Sequence, residues 1–180
     1  MTEQSLLEQE PTLQPSREVV QFNGEDDALT TIARVAASGA PRETIEQLKS
    51  LVEWKDARDA KAQFNASFSK AKQEFKQAKQ SGYNRHLNSK YSTLRDFDNA
   101  TKEALSRHGL SWRHVVKTIE ANTSVTCIIA HEGGHYESCE MQAPSTCMTN
   151  KAVNELQSVG IVKTYLQRMT LAAMLGLVSD

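Results

Sequence analysis

The polar residues near the C-terminal end of the sequence have types and spacing that suit phosphate groups. On a helix from Val162 onward, five of them share an arc of roughly 160°: Lys163, Thr164, Gln167, Arg168 and Thr170. This arc carries two cations, two hydroxyls and one amide but no acid. That inventory fits a run of phosphates better than a metal ion or a carboxylate substrate. An ordinary solvated helix face is the alternative interpretation.

The same helix has a predicted apolar face opposite the polar arc. Six side chains fall within about 120° of one another: Val162, Tyr165, Leu166, Met169, Ala172 and Ala173. We therefore expect Tyr165 and Met169 to belong to the core. Truncation of Tyr165 should then cost packing and stability first.

A second candidate site lies at residues 83–92, a basic and aromatic segment that is predicted to be a loop. Arg85 lies within it, and Lys90 and Tyr91 come just before a predicted helix. A cation, an aromatic face and free backbone N–H groups would then occur together. This combination suits a ligand that has both charged phosphates and exposed aromatic bases. An ordinary loop is the competing interpretation.

Metal and nucleophile chemistry find less support. His131, His135 and Cys139, with Cys127 or Cys147 as a fourth ligand, resemble a zinc set. On one strand, however, His135 and Cys139 would lie about 13 Å apart, too far to share an ion without distortion. G-x-S-x-G, P-loop and G-x-G-x-x-G motifs are absent from the sequence. We predict that the protein is not an enzyme and has no catalytic residue, no metal and no cofactor.

Charge is distributed unevenly along the 180 residues, although the net charge is only −1. Residues 1–30 have a net charge of −6, residues 55–117 of +8 and residues 118–180 of −3. The central basic block indicates a polyanion-binding surface. Residues 1–27 are acidic and are predicted to be disordered, whereas residues 28–180 are predicted to form one ordered domain.

The cysteines and the hydropathy pattern indicate the compartment. Three cysteines are present without a disulfide-scaffold spacing, which is typical of a reducing cytosol. Neither an apolar run of membrane-spanning length nor a signal peptide is visible. We expect a cytoplasmic protein without membrane contact.

Local signals predict the helices and strands. Helices are expected at 28–37, from Pro41 to about Gln80 with a stripe of phenylalanines, and from a Thr93 cap to about His108. Period-two segments then predict three strands at 111–119, 124–131 and 135–142. Two helices, at about 150–158 and 162–177, complete the chain. The fold class is therefore α+β, a three-stranded antiparallel meander packed with helices on one face.

Several motifs together resemble the ERF family of phage-type single-strand annealing proteins. The segments are Lys90–Leu94, Ala104–Leu110, the His131–Gly134 turn, and a C-terminal series of Gly160, Thr164, Tyr165, Arg168, Leu171, Gly176 and Leu177. They follow the family's order over residues 45–177. The chain departs from the family pattern at Gln167 and Met169, where relatives often have Arg and Tyr.

The resemblance implies a homo-oligomeric ring or filament that binds single-stranded DNA and anneals complementary strands without ATP in phage recombination or DNA repair. A host single-strand-binding protein and a phage exonuclease are candidate partners. The resemblance and the basic block together predict nine residues that contact DNA: Arg85, Lys90, Tyr91, Arg95, Arg113, Lys163, Thr164, Gln167 and Arg168. A DNA-binding module without annealing activity and a metal-dependent enzyme remain the alternatives.

Overall fold

The protein is an α+β protein, as predicted. A computed structural model describes residues 27–85, 88–146 and 155–177. In chain order the elements are α1 (Ala28–Ala37), α2 (Arg42–Gln73), β1 (Gly82–Asn84), β2 (Ser89–Tyr91), α3 (Leu94–Arg107), β3 (Leu110–Ile119), β4 (Asn122–His131), β5 (Tyr136–Pro144) and α4 (Glu155–Leu175).

Two compact units divide the chain, residues 1–52 and residues 53–180. In the first unit, α1 buries Ile32 and exposes most of its other side chains. The second unit contains the sheet, the β1–β2 pair, α3 and α4, and all the interactions below belong to it. The disorder predicted for residues 1–27 falls almost entirely outside the described residues, so it stays a prediction.

The larger sheet is the predicted antiparallel meander, with β4 between β3 and β5. Alternate residues of β4 are fully buried, among them Val125, Cys127 and Ile129. We call the face that carries these side chains the inner face. Because directly opposed residues of paired strands share a face, His114 of β3 and Cys139 of β5 lie on the inner face beside Cys127.

The core forms between the inner face and three helices. Its main cluster takes residues from α2, α3 and α4 as well as from the sheet: Phe64, Ala71, Phe97, Leu105, Leu110, Cys127, Ile129, Leu171 and Leu175. A second cluster joins Val162 and Leu166 of α4 to Val125. Burial of these apolar side chains is the main favourable contribution to folding.

Helix α2 ends at Gln73, earlier than the predicted end near Gln80. The phenylalanine stripe nevertheless packs as predicted, because Phe75 and Ala78 reach the core from the extended segment that follows the helix. There the backbone N–H of Lys76 donates to the carbonyl of Ala100 at 3.1 Å. Tertiary contacts with α3 therefore replace the last helical turns.

Helix α4 is continuous, whereas two helices were predicted around a break near Gly160. The structure describes the helix from Glu155 to Leu175; the earlier part of the predicted first helix, residues 150–154, lies outside the described residues. A glycine inside a helix costs only about 1 kcal/mol relative to alanine. Burial of Ser158, Val162 and Leu166 along one side of α4 offsets that cost.

Candidate nucleic-acid interface

The predicted loop at residues 83–92 contains a short antiparallel pair, β1 with β2. Tyr83 lies opposite Lys90, and Gly82 lies opposite Tyr91. A Cβ atom at residue 82 would come within 2.6 Å of the Tyr91 ring, so the absence of a side chain there lets the ring lie flat across the first strand. The glycine therefore positions the Tyr91 ring.

Asp96 fixes both ends of this pair to the start of α3. Its Oδ2 accepts hydrogen bonds from Ser81 Oγ at 2.6 Å, from Thr93 Oγ1 at 2.7 Å and from the Thr93 backbone N–H at 2.8 Å. Thr93 and Asp96 form the predicted capping box. The hydrogen bond from the Ser81 hydroxyl, followed by those from Thr93, lowers the pKa of Asp96 to about 2 against the opposing effect of burial.

Arg168 of α4 connects the helix to the β1–β2 pair through two aromatic rings. Its guanidinium carbon lies 4.5 Å from the ring centroid of Tyr91 and 5.4 Å from that of Tyr165. Both distances are typical of cation–π contacts. We call Tyr91, Tyr165 and Arg168 the arginine–tyrosine cluster.

Tyr165 and Met169 are exposed, so their predicted place in the core is wrong. Tyr165 is 53% exposed and Met169 36% exposed. Among the described side chains of α4, the buried ones are Ser158, Val162, Leu166, Thr170, Leu171 and Leu175, so Val162 and Leu166 are buried as predicted. The buried surface of α4 thus differs from the predicted apolar arc, in part because a threonine can be buried in place of an apolar residue when its hydroxyl is satisfied.

Thr170 was predicted to lie in the polar arc, and it is fully buried. Its hydroxyl donates to the Leu166 carbonyl at 2.8 Å and lies 3.2 Å from Nε2 of His114. Burial lowers the pKa of His114, with a hydrogen bond to the Gln167 backbone acting in the opposite direction. Thr170 therefore joins α4 to β3 and is not available to a ligand.

Ion pairing distinguishes two groups of cations, one in the basic block and one that also includes residues of α4. On the side formed by α2 and α3, Lys76 pairs with Glu103 at 2.9 Å and Arg107 pairs with Glu74. Within the described parts of the chain, no carboxylate pairs with Arg85, Lys90, Lys163 or Arg168. Among the described residues, the cations of the β1–β2 segment and of α4 therefore carry charge that no carboxylate neutralises.

The structure brings some of the nine predicted contacts together. Arg85 and Lys90 are exposed at β1–β2, and Tyr91 meets Arg168 of α4. Lys163 and Thr164 are exposed on α4 and Gln167 is half-buried, although the Thr164 hydroxyl donates to the Gly160 carbonyl at 2.8 Å.

The remaining two predicted contacts are Arg95 and Arg113. Arg95 is exposed in the first turn of α3. Arg113 is opposite Ile128, on the outer face of the sheet, whereas α4 packs on the inner face. Arg113 is therefore not brought together with Arg168.

Tyr165 was missing from the predicted contacts, as was Tyr83, which is 55% exposed. A signal for Tyr165 was present, because it lies three residues before Arg168 and such pairs are neighbours on a helix surface. The apolar-face assignment for Tyr165 outweighed that signal.

A serine–histidine pair elsewhere in the unit lacks the geometry of a nucleophile. Ser67 Oγ lies 3.0 Å from Nε2 of His131, and the Gly133 backbone N–H donates to Nδ1 at 3.0 Å. Because Nδ1 accepts this hydrogen bond, the single proton of a neutral ring is on Nε2. The Nε2 atom therefore cannot accept the serine proton. Burial also raises the pKa of the Cys127 thiol to about 12, which keeps it protonated and unreactive at neutral pH.

The zinc ligands considered above do not form a site in the described part of the chain. Among those residues, no group of three or more His, Cys, Asp or Glu side chains is placed to hold a metal ion. Cys147 lies outside the described residues. None of the described helices has the length and apolar character needed to cross a membrane.

Fold and surface together define an α+β protein with a cationic, aromatic patch where a two-stranded β pair meets a C-terminal helix. The ERF superfamily model matches residues 64–180, so the chain belongs to the ERF superfamily. This confirms the resemblance and associates the chain with phage-type recombination and strand annealing. The chain matches no curated protein and no solved structure.

Proposed function

We propose that this protein binds single-stranded DNA and anneals complementary strands without ATP during phage-type homologous recombination. The observation that carries the proposal is the arginine–tyrosine cluster. Its guanidinium lies within cation–π distance of both Tyr91 and Tyr165 and has no acidic partner in the described regions. Aromatic rings do not take up the N–H donors of a guanidinium as a carboxylate would, so these donors are left for a contact with a phosphate.

The exposed tyrosines favour single strands over duplex DNA. Tyr83 and Tyr165 are each more than half exposed, so each has ring surface available to a base. Stacking on a protein ring requires an unstacked base, which a single strand supplies and an intact duplex does not. Duplex DNA would contact only the cations, here Arg85, Lys90, Lys163 and Arg168.

Annealing follows from charge compensation. Two complementary strands repel each other through their phosphates, and a row of cations reduces this repulsion while releasing counterions. A backbone held by arginine and lysine leaves base edges free to test a second strand. Pairing and stacking then supply the driving force, so no nucleotide hydrolysis is needed. Because one patch covers few nucleotides, we expect a homo-oligomer to repeat it along the strand.

The proposal is tested by renaturation of two complementary labelled oligonucleotides, with and without ATP. We expect the protein to accelerate pairing equally in both conditions and to bind single strands more tightly than duplex. Strict dependence on ATP, or equal affinity for duplex DNA, would contradict the proposal. Binding without acceleration would instead support a DNA-binding module that does not anneal.

A further inference from the structure

Among the described residues, the outer edges of both β3 and β5 have no strand partner. In the described portion of the chain, β3 and β5 each pair only with β4. They span 10 and 9 residues, which is long for edges that remain unpaired in a globular protein. Exposed apolar side chains accompany them, with Ile119 65% exposed on β3 and Tyr136 62% exposed on β5. Such edges are templates for pairing with another chain.

The two edges carry opposite charge. Strand β3 has Arg113 and Lys117 and no acid, whereas β5 has Glu137 and Glu140 and no base. Arg113, Lys117 and Glu140 all lie on the outer face, because Arg113 is opposite Ile128, Lys117 is opposite Ser124 and Glu140 is opposite Thr126. Charges that only protect edges from aggregation need not differ in sign between the two edges.

We infer that β3 of one copy of this chain docks beside β5 of a second copy, so that the sheets of successive subunits become continuous. Pairing β3 with β3 would place Arg113 and Lys117 against the same cations, and pairing β5 with β5 would oppose glutamates. Like charges across paired strands are unfavourable and opposite charges favourable. Charge complementarity therefore selects the β3–β5 combination and makes a second copy the partner.

The topology is compatible with this contact. Strands β3 and β5 both run antiparallel to β4, so they run parallel to each other. A neighbour related by rotation about an axis along the strands therefore offers a parallel β3 to the preceding β5. Because the contact is head-to-tail, it repeats and produces a ring if the rotation closes, or a filament if it does not.

Charge reversal on the edges tests the inference. Lys117→Glu and Glu140→Lys should each weaken subunit association, roughly fivefold per interface, in light scattering at matched concentrations. The double variant Lys117→Glu/Glu140→Lys should restore assembly, because the reversed charges meet again. Lys102→Glu, an equal charge change at an exposed position on α3, should assemble as the unsubstituted protein does. Circular dichroism checks that each variant is folded.

The inference rests on the proposed function only in that annealing along a strand uses linked subunits, and the two can fail separately. Folded single variants that assemble normally, or a double variant that stays dissociated, would overturn the β3–β5 contact. A monomeric parent protein that still binds single-stranded DNA would overturn the contact and leave the proposed function intact. Assembly that responds to the charge reversals as predicted supports the contact even if the protein fails to anneal DNA.

Discussion

In the part of the chain that the structure describes, Arg168 contacts aromatic rings and no carboxylate, and this determines what its side chain can do. A carboxylate would take up the N–H donors and neutralise the charge. The rings of Tyr91 and Tyr165 restrict the guanidinium while leaving both donors and charge for a ligand. Arg107, which pairs with Glu74 and Glu103, is the contrasting case in the same unit. The difference makes Arg168 the stronger candidate for a phosphate contact.

Tyr165 should contribute to binding more than to stability. Because its side chain is exposed, Tyr165→Ala should change the free energy of unfolding by no more than about 0.5 kcal/mol, while loss of a stacking ring should weaken single-strand binding by about 1–3 kcal/mol. Leu166→Ala is the matched comparison, since Leu166 is buried and its truncation should cost about 2–5 kcal/mol of stability. Urea unfolding and DNA titration measure the two effects. If Tyr165→Ala loses as much stability as Leu166→Ala, Tyr165 contributes to the core, contrary to this account.

Asp96 should make the second unit sensitive to acid. Its folded-state pKa of about 2 is below the ordinary value of 3.8, so the unfolded chain binds the proton more readily. The stabilisation is therefore complete above the ordinary pKa and is lost as the pH falls from there toward the folded-state value. Asp96→Asn should lower the free energy of unfolding at neutral pH by about 1–3 kcal/mol and flatten this part of the pH profile. An acid profile that the substitution leaves unchanged would show that Asp96 does not fasten the β1–β2 pair.

At the level of the elements, prediction from sequence succeeded where the signals were local. The three strands were marked by period-two segments, which β4 shows as alternation of fully buried and part-buried residues, and the α3 start is marked by the Thr93–Asp96 capping box. These features were predicted within a few residues. The β1–β2 pair was not predicted, because strands of three residues are too short to show a period-two alternation. The shortened α2 and the continuous α4 depend on packing against other elements, which the sequence alone does not display.

The candidate site was partly predictable for the same reason. Cations and Tyr91 were recognised by type, and Arg168 by its position on a helix face. The burial of Thr170 was not predictable in this way, since a threonine in a polar arc can be buried when its hydroxyl is satisfied within the helix.

The β1–β2 pair should depend on Gly82 for the orientation of Tyr91. A methyl group at residue 82 would meet the Tyr91 ring, so Gly82→Ala should displace the ring from Arg168 and weaken single-strand binding by roughly tenfold, about one lost stacking contact. Gly160→Ala is the matched control, because a Cβ atom there meets nothing within 4 Å. It should leave binding unchanged and stabilise α4 by up to about 1 kcal/mol. Equal binding by the two alanine variants would contradict the role given to Gly82.

On the scale of the whole molecule, the proposed function depends on the distribution of charge and not on the net charge. The chain is nearly neutral at −1, yet the cations of the β1–β2 pair and α4 have no acidic partners in the described ranges. The acids of β5 lie on the sheet edge opposite the basic β3 edge. We thus propose that the cations of the β1–β2 pair and α4 bind DNA, and that the opposite charges of the β3 and β5 edges support contact between subunits.

The most direct test of this account is the salt dependence of single-stranded DNA affinity in Arg168→Ala, after light scattering has shown normal assembly. We expect affinity to fall by roughly fivefold to thirtyfold, corresponding to about 1–2 kcal/mol. The slope of log affinity against log salt should become shallower by about 0.7 for one lost phosphate contact. Arg58→Ala removes the same charge from another arginine–aromatic pair, 5.4 Å from Trp54, and should change neither quantity. Normal affinity and an unchanged slope in assembled Arg168→Ala would remove the arginine–tyrosine cluster from the DNA-binding site.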